Sequence, residues 1–191
     1  HGFIPAPAHR LDRNTSGIVL FGKNLPTLQS LLELFKSKEQ ITKTYLALVV
    51  GRVNKDGEIH SPLLKDEKEG KVRIGSVKEG AKEAHTKYYV KEKLNDYTLL
   101  EVEILTGRTH QIRVHMASIG HPVAGDPKYG NFNKNREFKE KFHYDSQFLH
   151  AYSITFHKVE GPLAYLSNKT LVAPLLEKEE KILKQLSLDE K

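Results

Sequence analysis

The chain has 191 residues, with 30 lysines and arginines against 24 aspartates and glutamates, a formal charge of +6. It has no cysteine, which excludes disulfides and thiolate zinc sites, and no apolar run near the roughly 18–20 residues that span a bilayer. The length suffices for one domain with a sizeable core; the positive balance suits a phosphate-bearing partner, although solvated lysine-rich faces would give the same sum. The start shows no charged segment leading into an apolar one, so a soluble cytoplasmic protein is expected.

Taken in chain order, Ile18-Val19-Leu20-Phe21 reads as a short buried strand. Asn24 is a helix N-cap candidate and Pro26 fits the first turn. Leu28, Leu31, Leu32 and Phe35 then recur at helical spacing, so the pattern predicts an amphipathic helix over Leu25 to Lys38. Lys43 to Val50 reads as a strand ending at Gly51. Asn54 to Gly80 is rich in Gly, Lys and Glu and reads as a long mobile hairpin or loop, with a short strand near Val72 to Val77. His85 to Val90 and Tyr97 to Leu105 flank an Asn95-Asp96 turn, predicting two antiparallel strands. In the second, Leu100, Val102 and Ile104 alternate with Glu101 and Glu103.

Thr109 to Ser118 reads as a helix closed by Gly120, with Ile112, His115, Met116 and Ile119 on its core stripe. His121 to Phe142 reads as a polar loop, Ser153 to Phe156 as a strand, and Leu175 to Leu186 as a terminal amphipathic helix. No internal repeat is present. Strands outnumber helices and short turns join them. The expected fold class is α+β, a mixed and mostly antiparallel central sheet flanked by helices and loops.

The chemistry concentrates in His9-Arg10-Leu11-Asp12-Arg13-Asn14-Thr15-Ser16-Gly17. A carboxylate between two guanidinium groups is favoured in its charged, oriented form, as a nucleophile or an electrostatic catalyst requires. Phosphate-binding arginines with a supporting Asp would look the same. Thr15, Ser16 and Gly17 read as structure: hydroxyls that satisfy nearby amides and a glycine that permits tight backbone geometry.

This run resembles the H-R-L-D-x-x-T-S-G motif of the RluA class of ribosomal RNA pseudouridine synthases. Lys43-Thr44-Tyr45-Leu46-Ala47 resembles the K-x-Y-x-A block of that class. Thr106-Gly107-Arg108-Thr109-His110-Gln111-Ile112-Arg113-Val114-His115, continuing through Gly120-His121-Pro122 to Gly125-Asp126-Pro127-Lys128-Tyr129-Gly130, resembles its G-R-x-H-Q-I-R-x-H block, and Leu149-His150-Ala151 adds a smaller match. The resemblance covers about residues 9 to 175. It implies a pseudouridine synthase-like catalytic domain that isomerises uridine to pseudouridine in RNA, with no cofactor and no metal. Members of the class usually carry an earlier N-K-P-x-G strand, and many a small N-terminal RNA-binding domain. Neither occurs in these 191 residues, so one catalytic domain over 1–191, lacking those regions, is expected.

By that resemblance Asp12 is the catalytic residue, as nucleophile or as the base that takes a sugar proton. Arg113 is its basic partner, and Tyr45 stacks on uracil and shares a late proton transfer. Spacing alone would make Arg113 a solvated or phosphate-binding residue and Tyr45 a core aromatic. Lys43 shares the face of Tyr45 by strand alternation and is expected to help hold the site or an RNA phosphate. The resemblance gives Arg10 the space vacated by an extruded nucleotide, with a salt bridge or phosphate clamp as the alternative. Arg13, Arg108, Lys128 and Arg136 are phosphate candidates, with a solvated surface as the alternative. His110 and His115 are five apart rather than four, so a helical metal pair is not expected, and His115 reads as a hydrogen-bonded core residue.

Large-subunit (23S) ribosomal RNA is the expected partner, on the fuller T-G-R-T-H-Q-I-R-V-H block and on Ser61 to Lys65, with a role in ribosome biogenesis. A monomer with no membrane contact is expected. Transfer RNA is the alternative substrate and a non-catalytic basic RNA-binding module the alternative class. A glycosidase would need a second acid, for which Asp126 is the nearest candidate.

Overall fold

The computed structural model describes residues 2–190. Its elements in order are β1 (Ala6–Pro7), β2 (Ser16–Gly17), β3 (Phe21–Gly22), α1 (Leu25–Leu34), β4 (Ile41–Val50), β5 (Gly57–Ile59), β6 (Leu63–Asp66), β7 (Lys71–Ile74), β8 (Thr86–Leu94), β9 (Tyr97–Ile104), α2 (Gln111–Ser118), α3 (Phe132–Phe142), β10 (Leu149–Phe156), β11 (Thr170–Val172) and α4 (Glu177–Asp189). A seven-stranded sheet runs β11-β10-β4-β9-β8-β5, and β2 also pairs with β10. Among the described residues only that β2–β10 pairing is parallel, so the mixed, mostly antiparallel α+β class expected from the sequence is what forms.

β4 sits between β10 and β9 and is buried on both faces, which is why its sequence is nearly continuous apolar from Leu46 to Val49. Strand alternation sorts it. Ala47 and Val49 pack with Leu100, Val102, Ile112 and Met116, which puts α2 on that face. Leu46 and Leu48 pack with Phe138, Phe148, Ile182 and Leu186, which puts α3 and α4 on the other. Tyr45 and Lys43 continue the Ala47 and Val49 side, so both project toward the α2 face. A third cluster joins Leu31 and Leu34 of α1 to Ile154 and Phe156 of β10. Among the described residues no helix is long and apolar enough to cross a membrane.

The structure corrects several boundaries. His121 to Phe142 is not all loop: α3 occupies its second half, capped by Asn131, whose side chain accepts from Lys134 N at 2.9 Å. Its core stripe is only Phe138 and Phe142, too few apolar positions among the charges to register as a helix. Ile18 to Leu20 is irregular rather than strand. Gly17, at φ +119°, turns the chain there, and Ile18 and Leu20 pack against the α1 cluster without a ladder. α1 stops at Leu34, because the Ser37 hydroxyl takes the amides of Glu39 and Gln40 and offers the chain another partner. The strand expected at Ser153 starts at Leu149, and that expected over His85 to Val90 runs from Thr86 to Leu94.

The 54–80 stretch is structured: β5 is the outer strand of the main sheet, while β6 and β7 form a hairpin. Leu63 and Val72 of that hairpin pack on Val114 of α2, and Val72 N donates to the Tyr129 hydroxyl at 2.9 Å. The Asn95-Asp96 turn forms as expected, with Asn95 at φ +60°, the left-handed conformation that tight hairpins need.

Candidate active site

The Asp12 loop is held at three points. The Thr15 amide donates to Asp12 O at 3.0 Å, closing a turn through Asn14 at φ +68°. Gln147 Nε2 donates to Arg13 O at 2.7 Å and to Thr15 Oγ1 at 3.0 Å. Ser16 and Gly17 then lie beside His150 and Ala151 as β2. A Cβ on Gly17 would stand 2.2 Å from the Ala151 carbonyl oxygen, so this close approach admits only glycine. Ser16 Oγ lies 2.7 Å from His150 Nδ1 and donates to Glu179 of α4 at 2.9 Å, anchoring the loop to the C-terminal helix. The structural reading of Thr15, Ser16 and Gly17 holds.

Arg113 projects from α2, a helix entered through His110 in the left-handed conformation (φ +54°) rather than at Thr109. Its Nη1 donates to Asp12 Oδ2 at 3.3 Å. The rest of the fork is fixed from behind: Nε and Nη2 each reach an oxygen of Asp126 at 2.8 Å. Asp126 is 1% exposed and also accepts from the amides of Lys128 (2.9 Å) and Tyr129 (3.1 Å). The Tyr129 ring covers the guanidinium at 5.2 Å, and its hydroxyl lies 2.6 Å from His110 Nδ1.

Burial alone would lower the Arg113 pKa, but the hydrogen bonds and charge of Asp126, with Asp12 behind them, outweigh it and the shift is upward. Burial pulls Asp126 up, and Arg113 with the two backbone amides overrides it to a net lowering. Both groups therefore stay charged, and Arg113 presents its remaining edge to Asp12.

Asp12, Arg10, Arg13, Lys43, Tyr45 and Arg108 line one cleft of about 640 Å³. Tyr45, in mid-β4 opposite Ala151 and Val102, has its phenol pushed up to about 12 by burial and then by the Asp12 charge. It stays neutral at physiological pH. Lys43, over the Phe35 ring at 5.6 Å, is lowered by burial. The His9 ring, 4.5 Å from that of Phe35, is driven down to about 4 by burial and by Lys43, so Nε2 is free to accept the Leu20 amide at 3.0 Å. Arg108 is anchored by Nε to Glu83 O at 2.7 Å; Arg10 and Arg13 are exposed at the rim. The structure thus brings together all seven residues singled out as catalytic or RNA-binding. Lys128 and Arg136 stand apart from the cleft lining, Lys128 reaching Gly70 O and Arg136 covering the Phe132 ring.

Sequence reasoning missed the Asp126 clamp, although Gly125-Asp126-Pro127 was in view; a short loop between two glycines conceals that its acid meets α2. It also missed His110, Lys65 and His9 as cleft walls. His115 is the hydrogen-bonded core residue expected: fully buried, 2.7 Å from Thr86 Oγ1 and 2.8 Å from Ser61 O.

Residues 1–118 match the family model described as RNA pseudouridylate synthase. The chain belongs to the RNA pseudouridylate synthase family. Among relatives, a ribosomal large subunit pseudouridine synthase C of Pasteurella multocida is 42% identical over 149 residues, 78% of this chain and 45% of that protein. An uncharacterized RNA pseudouridine synthase of Chloroflexus aurantiacus is 39% identical over 147 residues, 77% of this chain and 44% of that one. The chain spans less than half the length of these pseudouridine synthases. The solved structure of human RNA pseudouridylate synthase domain containing 1 superposes with a TM-score of 0.68 at 27% identity, covering 95% of this chain and 80% of that one. That of domain containing 4 gives 0.77 at 23% identity, covering 95% and 76%, a likeness of fold.

Proposed function

We propose that this pseudouridylate synthase chain isomerises uridine to pseudouridine in large-subunit (23S) ribosomal RNA and that Asp12 is its catalytic carboxylate. The observation that carries the reading is the 3.3 Å contact from buried Arg113 to Asp12, a carboxylate that lines one cleft together with Tyr45. The family match and the ribosomal large subunit enzymes among its relatives support the substrate class.

In the reaction the N1–C1′ bond breaks, the uracil turns, C5 bonds to C1′, and the C5 hydrogen leaves as a proton while N1 gains one. Electrons balance without a redox partner. The target base must leave its stack to reach Asp12. Asp12 acts at the ribose–uracil linkage, as nucleophile at the sugar or as base toward it. Arg113, immobilised by Asp126, fixes the carboxylate so that no reorganisation is needed when charge moves. Tyr45 stacks on the detached uracil, and its neutral hydroxyl gives or takes the late proton. Arg10 fills the gap left in the RNA stack, and Arg13, Lys43 and Arg108 take phosphates around the rim, a contribution that weakens with salt.

The test is release of tritium from RNA labelled at uridine C5. The full-length protein releases it, and Asp12→Asn abolishes release while still binding the RNA. Turnover by Asp12→Asn near the native rate removes the assigned role. Pseudouridine maps of cellular RNA with and without the gene decide between ribosomal and transfer RNA.

A further inference from the structure

Away from the cleft, on the outer edge of the main sheet, two imidazoles and a carboxylate converge. Glu58 lies in β5, His60 follows β5 and His85 precedes β8. The register pairs Glu58 with Lys87 and Ile59 with Thr86, so the next step along the ladder sets His60 opposite His85. Alternation puts Glu58, His60, His85 and Lys87 on one face. The rings of His60 and His85 stack with centroids 3.9 Å apart. Both aim Nε2 at the same atom, Glu58 Oε2, from 3.0 and 3.4 Å. The three donor atoms all lie within 4.8 Å of one another.

We propose that Glu58, His60 and His85 form a Zn²⁺ site that ties the edge strand β5 to the start of β8. Zinc–ligand bonds of about 2.0–2.1 Å in a tetrahedron put neighbouring ligand atoms about 3.3–3.4 Å apart, close to the 3.0 and 3.4 Å between Oε2 and the two Nε2 atoms, and the stacked rings turn apart to aim both lone pairs at the ion. Two imidazoles and a carboxylate are donors that suit zinc, and water completes the fourth position. Glu58 can serve because its two oxygens divide the work: Oε1 faces Lys87 Nζ at 3.8 Å, and Oε2 faces the imidazoles. Lys87 lies beside the set and reduces the affinity without occupying a ligand atom.

The fold gives such a bridge a purpose. β5 is a three-residue edge strand that, among the described residues, pairs only with β8, and short edge strands fray. A cation shared by Glu58, His60 and His85 links it to the backbone of His85. That residue's amide donates to Thr106 Oγ1 at 2.9 Å, and its carbonyl accepts from Gln111 Nε2 at 3.0 Å. Gln111 Oε1 in turn accepts from Arg108 N, and both Gln111 and Arg108 line the cleft. Zinc here is structural, stiffening the wall from which Arg108 projects. None of its three ligands lines the cleft itself.

The experiment uses tag-free full-length protein, stripped with chelator and titrated calorimetrically with ZnCl₂ alone in a non-coordinating buffer. The expected result is one ion per chain with proton release, a rise in Tm on saturation, and affinity reduced about tenfold or more in both His60→Ala and Glu58→Gln. His60 is 64% exposed, so its replacement leaves the fold intact, and an unchanged circular dichroism spectrum verifies this. Absence of binding up to millimolar zinc overturns the site. So does binding that His60→Ala and Glu58→Gln leave unchanged, which would assign the zinc to other histidines.

Discussion

Replacing Asp126 with asparagine tests the claim that the Arg113 fork is set from behind. Asp126 accepts two bonds from Arg113 at 2.8 Å and two from backbone amides, with almost no exposure. In Asp126→Asn the carboxamide oxygen keeps the Lys128 and Tyr129 amides and Nη2, while its NH₂ meets Arg113 Nε donor to donor. One charge-assisted bond, worth about 1.5–3 kcal/mol, is lost, and the buried guanidinium loses its counter-charge on that side. Removing one partner of a buried pair costs about 3–5 kcal/mol. The isosteric swap should fall between these two figures, about 2–4 kcal/mol. At about 2–4 °C per kcal/mol for a chain of this size, Tm falls by roughly 4–16 °C. Urea unfolding gives the free energy directly, and tritium release gives the rate, expected to fall in kcat with KM little changed because the rim cations are untouched. A midpoint and kcat both equal to the native values would show that Asp126 does not position Arg113, and the clamp argument would fail.

Three other outcomes follow from the geometry. Tyr45→Phe retains the ring in β4 but removes the hydroxyl, so RNA binding persists while kcat falls about 100-fold or more if that hydroxyl moves the late proton; tritium release and filter binding separate the two. Gly17→Ala forces a Cβ to 2.2 Å from Ala151 O at φ +119°, with a backbone cost of about 1–3 kcal/mol before the clash is counted, read as a lowered urea midpoint. The third concerns acid. His9, at about 4 in the folded chain against an ordinary 6.5, is held down by burial and then Lys43, and burial also lowers His110 and His115. Between pH 6.5 and about 4 the unfolded chain therefore binds protons that the folded chain refuses. Their contribution is fully present above 6.5 and is lost as pH falls toward 4; denaturation midpoints across that window should decline less steeply in His9→Gln.

Much of this molecule is written locally. The alternation of Leu100, Val102 and Ile104 fixes β9 and its buried face, Asn95-Asp96 fixes the hairpin, and Asn24 with Pro26 fixes the start of α1. These are local because each depends on the few residues within one turn or one pleat. The grouping of Asp12, Tyr45 and Arg113 was legible only through the resemblance of three separated blocks, since their own spacing favours solvated arginines and a core tyrosine.

What tertiary structure alone decided is partnership across distance. α3 became visible only when Phe138 and Phe142 found Leu46 and Leu48 to pack on, because two aromatic positions among charges carry too weak a period. Asp126 meets Arg113, Gln147 props the Asp12 loop, and Glu58 meets His85 because the fold makes neighbours of residues apart in the chain. A sequence lists donors and acceptors, but burial and direction, which decide whether a carboxylate is a clamp or a solvated charge, exist only once the sheet has closed around it.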